Sequence, residues 1–231
     1  MVTALRPGRL LSSQLLDGSA DLLVDTFVDS AAGRLAPFRR FLRREIYGYL
    51  QAHMALAPAT VLLIATWTPD AETEASPIPG MEESGRSRSS GSSGANSSTP
   101  DATTSTVSGG TRTSGARNPQ LLGFAEVVFD VRQRQRFMTL DPPPGSAYLC
   151  NMAVAPEARR RGVARQLVTA AEAMCQVCGS TDLYLHLRFQ DEAAGYLYRS
   201  TGFTAVEEDA WYVTLLGMDR RYLMLKSLPR E

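Results

Sequence analysis

The stretch "LCNMAVAPEARRRGVARQLV", Leu149 to Val168, joins three kinds of sequence in twenty residues. An apolar, strand-like run meets Pro156. Arg159, Arg160, Arg161 and Gly162 follow, and a helical repeat begins. In that repeat Ala164, Leu167, Val168, Ala171, Met174, Cys175 and Cys178 mark one face, and Gly179 is the stop signal. A helix N-terminus leaves its first N–H groups without internal acceptors and carries partial positive charge. A glycine beside it lets backbone approach a ligand closely. Strand, basic turn and helix together predict a pyrophosphate cradle. The spacing is neither G-x-x-x-x-G-K-S/T nor G-x-G-x-x-G, which argues against a P-loop and against a dinucleotide Rossmann site. Taken alone, the same turn also reads as a solvated basic turn, and the residues leave both readings open.

Working outward, the elements alternate. "AYLCNMAVA" is a strand, and "DLYLHLRF" alternates strictly, with Leu183, Leu185 and Leu187 on one side and Tyr184, His186 and Arg188 on the other. "DEAAGYLYRSTGF" reads as a helix ending at Gly202, and "RYLMLKSL" as the closing strand. Strand, helix and strand joined by short turns imply a parallel pair with a right-handed crossover. Upstream, "ATVLLIATW" and "QLLGFAEVVFDV" are strands rich in branched and aromatic residues. "ADLLVDTFVDSAAG" is a helix ending near Gly33. In "LAPFRRFLRREIYGYLQAHM" the residues Leu35, Phe38, Phe41, Leu42, Ile46, Tyr49, Leu50 and His53 form an apolar face with the arginines opposite. The expected order, β-α-α-β-β-β-α-β-α-β, is an α/β (α+β) fold around one mixed sheet.

Between the two upstream strands the composition collapses. Residues 72–118 are mainly serine, glycine and threonine, as in "SGRSRSSGSSGANSSTPDATTSTVSGG". Such a segment cannot bury enough apolar surface to offset its ordering entropy. Strands on both flanks make it a disordered insertion in a hairpin, and loop length costs little free energy. The expectation is therefore one domain over 1–231. With 24 basic and 24 acidic side chains the net charge is zero, which supports neither a nucleic-acid nor a membrane partner. No run approaches the length of a membrane span. Three cysteines argue against a disulfide framework and for an intracellular reducing compartment. Cys175 and Cys178 form C-x-x-C late in a helix, where a low thiol pKa has no source, so packing is expected rather than redox chemistry. Two histidines give no zinc site. The start, "MVTALRPGRLLSSQLLD", has no acid before Asp17, a faint transit-peptide composition, but structured sequence is expected almost at once.

"RRRGVA" resembles the Q/R-x-x-G-x-G/A acetyl-CoA signature of the GNAT (GCN5-related) N-acetyltransferases, with Arg159, Gly162 and Ala164 in its defined positions. "DEAAGYLYRSTGF" is similar to that family's N-x-x-A-x-x-L-Y-x-x-x-G-F segment, with Ala194, Leu197, Tyr198, Gly202 and Phe203 in place. Asp191 stands where the family has asparagine, which puts its cofactor-side hydrogen bonds in question. The element order fits too, from "VTALRP" as a first strand onward. The resemblance implies a mixed, mostly antiparallel sheet with a central splayed parallel strand pair and flanking helices. It implies acetyl-CoA with pantetheine along Met152, Ala153 and Val154, and pyrophosphate on the turn from Arg160 through Arg161, Gly162, Val163 and Ala164 to Arg165.

The same resemblance gives Tyr198 the departing thiolate. "DLYLHLRFQDEAAGYLYRSTGF" resembles the NatE-type protein N-terminal acetyltransferases, in which a strand histidine and a tyrosine on the preceding strand order a water that takes the amine proton. Here these are His186 and Tyr148. Read from residues alone, His186 is equally a packed strand histidine. Glu126 in "GFAEVVFD" is the reserve base, with a solvent-facing strand glutamate as the plain alternative. "DAWYVTLLGMDRRYLMLKSL" resembles organelle-type GNAT proteins of plants and algae, which points to the cytoplasm or the plastid stroma. No cysteine is placed as a nucleophile; Cys150, the nearest, reads as packing. Direct transfer to a primary amine is expected, favouring a protein or peptide N-terminal α-amine, with lysine as a further acceptor. A small-molecule amine acetyltransferase and a silent acetyl-CoA-binding regulator are the alternatives. Acidic residues that would suit polyamines do not cluster. Oligomeric state is not legible.

Overall fold

A computed structural model describes residues 2–4, 12–27, 36–68, 119–137 and 139–229. These belong to one compact unit, Met1–Thr68 with Pro119–Glu231. The insertion expected at 72–118 lies outside the described residues, as do Gly33 and Leu35.

The elements are β1 (Val2–Ala4), α1 (Ser13–Phe27), α2 (Ala36–Met54), β2 (Thr60–Trp67), β3 (Gln120–Val128), β4 (Ala147–Val154), α3 (Val163–Val177), β5 (Asp182–Arg188), α4 (Glu192–Ser200), β6 (Thr204–Glu208) and β7 (Arg221–Ser227). The strands form one sheet in the order β1-β2-β3-β4-β5-β7-β6. Among the described residues only β4 and β5 run parallel; every other neighbouring pair is antiparallel. β2 and β3, the strands flanking the insertion, pair from Thr60↔Val128 to Trp67↔Gln120.

Three sequence expectations are corrected here. β6, "TAVEE", was not expected: all five residues are exposed, and an edge strand carrying two glutamates lacks the alternation that marks a half-buried one. Its ladder to β7, beginning Thr204↔Leu225, supplies what its pattern lacks. The apolar face of α2 is also only partly a core face. Leu50 and His53 are buried and Leu42 and Ile46 half-buried, but Phe38, Phe41 and Tyr49 are exposed. Two of the half-exposed arginines pair with α1. Arg43 reaches Asp21 at 2.6 Å and Asp17 at 2.9 Å, and Arg39 reaches Asp25 at 2.5 Å, tying α1 to α2. α1 begins earlier than its apolar pattern suggested, at Ser13.

Of the expected face of α3, Leu167, Val168, Ala171 and Cys175 are buried, joined by Val163, while Ala164 and Met174 are half-buried and Cys178 lies exposed just past the helix. Burying each of the larger aliphatic side chains contributes about 1.5–3 kcal/mol. Gly123 on β3 makes this packing possible. A Cβ there would lie 3.1 Å from the Ala153 carbonyl oxygen, 3.1 Å from Val163 Cγ1 and 3.2 Å from Leu167 Cδ1. The missing side chain seats the first turn of α3 against β3 and β4, and that placement fixes the site.

Candidate active site

β4 and β5 start as a parallel pair and part. Their ladder holds Ala147↔Leu183 and Tyr148↔Tyr184, and β4 continues to Val154 and β5 to Arg188 without further pairing. From Leu149 onward the β5-facing edge of β4 therefore borders a gap. On its other edge β4 pairs with β3, with a bulge: Phe124 faces Ala153 and Glu126 faces Cys150, so Asn151 and Met152 together oppose Ala125. Asn151 has φ +51°, in the left-handed region.

Beyond the gap the chain turns through Pro156–Ala158 into α3. Arg160 (φ +62°) and Gly162 (φ +80°) are both left-handed, and this reverses the chain into the helix. No side chain caps α3, and its first backbone bond runs from the Gln166 N–H to the Gly162 carbonyl. The N–H groups of Val163, Ala164 and Arg165 are thus left without helical acceptors. Arg159, Arg160, Arg161 and Arg165 are exposed around them. Arg159 Nε donates to the Val154 carbonyl at 3.3 Å and Arg165 Nη2 to Ser200 Oγ at 3.2 Å. A bare helix N-terminus ringed by guanidinium groups at the mouth of a parted strand pair suits a phosphate-bearing ligand with an extended arm.

Tyr198 on α4 is buried, packing edge-on against Phe203 with centroids 5.7 Å apart. Burial above all, then Asp191 and Cys150, push its phenol up, so it stays protonated. Its hydroxyl has no hydrogen-bond partner among the described residues. Asp191 differs from a ligand-ready residue: Arg188 Nε donates to its Oδ2 at 2.9 Å and Arg188 Nη2 to its Oδ1 at 3.3 Å. This pair is internal to the turn before α4.

Tyr148 and His186 meet directly. Tyr148 Oη lies 2.9 Å from His186 Nδ1, and His186 Nε2 lies 2.9 Å from the Leu140 carbonyl oxygen. A carbonyl only accepts, so Nε2 carries the proton and Nδ1 accepts from Tyr148. Burial, followed by the nearby Arg221 charge, lowers the His186 pKa to about 4. Burial also pushes the Tyr148 phenol up. The connection from β3 to β4 covers the pair: the Phe137 ring centroid is 4.2 Å from that of His186 and 5.3 Å from that of Tyr148. Arg134, buried, pins this connection by donating to the carbonyl oxygens of Pro142, Pro143 and Ser146.

Glu126 is not solvent-facing. It is 0% exposed and lies among donors from two elements, α2 and β4. Tyr49 Oη of α2 donates to its Oε2 at 2.9 Å, and Asn151 Nδ2 of the bulge donates to the same oxygen at 2.8 Å. His53 Nδ1 lies 2.5 Å from Oε1. The Cys150 thiol is 3.8 Å from Oε2, and burial followed by the Glu126 charge pushes that thiol well up, which makes it a poor nucleophile. Cross-strand partners share a face, so Val128↔Tyr148, Glu126↔Cys150 and Tyr148↔Tyr184 put Glu126, Cys150 and Tyr148 on the α2 side of the sheet, with His186 two residues on from Tyr184.

Sequence reasoning singled out Arg159–Arg165, Tyr148, His186, Tyr198 and Glu126, and the fold gathers all of them around one strand parting. It missed Phe137, Leu140 and Arg134, which come from an irregular connection with no periodic signal. It counted Tyr49 and His53 only as members of an apolar face. Two polar-tipped residues four apart, facing the same way, were the available hint.

Residues 116–205, from the approach to β3 to the first residues of β6, match the family model described as Acetyltransferase (GNAT) domain. Over 88 residues the chain is 41% identical to GCN5-related N-acetyltransferase 5, chloroplastic, of Arabidopsis thaliana, covering 38% of this chain and 28% of that protein. Over 84 residues it is 37% identical to GCN5-related N-acetyltransferase 7, chloroplastic, of the same plant, covering 36% and 31%. These matches span about three tenths of the length of each relative. The structure of PaiA N-acetyltransferase from Thermoplasma acidophilum, solved with coenzyme A, shares the fold at a TM-score of 0.53 and 15% identity, covering 98% of this chain and 99% of that one. The family match falls on the parted strands, the basic turn and α4, so it is residues 116–205 that match the GNAT acetyltransferase domain, within a sheet of the same fold as the coenzyme A-bound neighbour.

Proposed function

We propose that this chain is an acetyl-CoA-dependent N-acetyltransferase that passes the acetyl group directly to a primary amine, with a protein N-terminal α-amine as favoured acceptor and lysine as a further one. The observation that carries the reading is the parting of β4 from β5 beside the bare N-terminus of α3. The residues present fit the cofactor. The β5-facing edge of Met152, Ala153 and Val154 offers backbone groups to an amide-bearing pantetheine arm. Val163, Ala164 and Arg165 offer N–H groups to pyrophosphate, with Arg159, Arg160 and Arg161 adding charge. Asp191, held by Arg188, serves the turn rather than the ligand. When bound, acetyl-CoA supplies an activated acetyl thioester.

The chain's own residues handle the protons. Tyr198, neutral and free at its hydroxyl, donates to the departing sulfur. Tyr148 accepts the amine proton at Oη as it passes its own to His186 Nδ1, and the Leu140 carbonyl steadies the ring through Nε2–H. The depressed pKa leaves His186 Nδ1 unprotonated at neutral pH while lowering its basicity. Cys150, half-buried with its thiol pushed up, supports direct transfer over a covalent relay. The plastid stroma is the proposed compartment, supported by the chloroplastic relatives. Residues 72–118 are proposed as a disordered insertion in a single domain.

Acetylation assays with the full chain on a peptide library, with spermidine and an aminoglycoside alongside, test this. Transfer to peptide α-amines is expected. Transfer to the small amines alone would move the enzyme to the small-molecule class, and acetyl-CoA binding without any transfer would make it a silent regulator.

A further inference from the structure

Building on the reading of the β4 edge as the pantetheine wall, we propose that Glu126, braced by Tyr49 and His53 of α2, is a positioning residue that clamps the β4 bulge at Asn151. A bulge inserts one residue and so shifts the inward and outward alternation of everything after it. In β4 the residues that follow are Met152, Ala153 and Val154, the edge facing the gap. The bulge depends on Asn151 at φ +51°. Asparagine tolerates that region better than most residues, usually through a local side-chain bond. Here the bond is long-range instead. Asn151 Nδ2 donates to Glu126 Oε2 at 2.8 Å and lies 3.3 Å from Tyr49 Oη.

The clamp has its own brace. A carboxylate with 0% exposure persists only where donors replace water. Oε2 takes Tyr49 and Asn151, with the Cys150 thiol nearby, and Oε1 takes His53. His53 is itself buried, its carbonyl accepting from Thr60 Oγ1 at the start of β2, and its ring lies on Tyr49 with centroids 3.9 Å apart. The helix, β2, β3 and the bulge are thereby one hydrogen-bonded unit. Both carboxylate oxygens are committed and shielded from solvent, so Glu126 is removed from the role of reserve base.

The distinction is open to experiment on the full chain. Glu126→Gln keeps an oxygen for Tyr49 and Asn151 and can turn its NH2 toward His53 Nδ1. Amide exchange over Cys150–Val154, measured without ligand, and acetyl-CoA affinity are both expected to stay within about threefold of the parent. Glu126→Ala should accelerate exchange in that segment about tenfold or more while α3 stays protected. Asn151→Ala should do the same, and Asn151→Gly, free to hold φ +51°, should recover part of it. Unchanged exchange in both alanine variants would overturn the clamp. A Glu126→Gln variant with parental exchange and affinity but a transfer rate lower by about 10²-fold or more would instead make Glu126 the base. If the parent bound no acetyl-CoA, the reading of the wall would fail, while the exchange data would still decide the clamp.

Discussion

The two ends of the parted strands are built differently. At the α3 end, the groups that would hold a phosphate come from a single run, Arg159 to Arg165, and much of their chemistry is backbone. At the α2 end, Glu126 meets Tyr49 across 77 residues and His53 across 73, and His186 meets Leu140 across 46. The first end needs only a strand, a left-handed turn and a helix start in sequence. The second needs the whole sheet in register. Damage to the first end should therefore act on cofactor affinity; at the second, damage to the Tyr148–His186 pair should act on turnover and damage to Glu126 on the β4 wall.

The largest expected effect is at the first end. Gly162→Glu should abolish acetyl-CoA binding. Bulk is not the reason, since a Cβ at Gly162 meets nothing within 4 Å; the causes are its φ of +80° and a carboxylate set against phosphate. Calorimetry on a folded variant checks this, and unchanged affinity would break the comparison at its strongest point.

Next comes the second end. His186→Ala should lower kcat by about 10²–10⁴ while leaving acetyl-CoA affinity nearly intact. With Tyr148→Phe added, the loss should fall well short of the product of the two, because both residues serve one proton path. The pH dependence sharpens this. His186 titrates at about 4 in the fold against an ordinary 6.5, so the unfolded chain binds the proton more readily. Its contribution to stability is present above pH 6.5 and is lost as pH falls toward 4. Thermal melts of the parent should drop across that window more steeply than those of His186→Gln. Parallel curves would show that the histidine's environment is not what the geometry implies.

A smaller effect is expected where the two ends are joined. Gly123→Ala forces a methyl to within 3.1–3.2 Å of Ala153, Val163 and Leu167. Overpacking of this kind costs about 1–3 kcal/mol, readable by denaturant titration. Affinity should fall with it, because the first turn of α3 is displaced. The smallest effect is expected from replacing residues 72–118 with a short Gly-Ser loop, which should leave melting temperature and acetyl-CoA affinity nearly unchanged. A large loss of either would show that the insertion packs on the domain, and loss of transfer alone would mark it as an acceptor-recognition element.

Much of this molecule was legible in its sequence. The alternation of Leu183, Leu185 and Leu187 with Tyr184, His186 and Arg188, the face of α3 and the turn at Gly162 are local features. Period, helix termination and backbone freedom are set within a few residues, so sequence alone determined them. It could not determine that β6 is a strand, because an edge strand of exposed residues is defined by its neighbour's hydrogen bonds rather than by a buried face. Nor could it show that Glu126 is fully buried. A glutamate in a strand has the same local signal whether it meets water or three donors. Only the tertiary structure brought α2 over that face, and the desolvation of a carboxylate is decided by such distant partners.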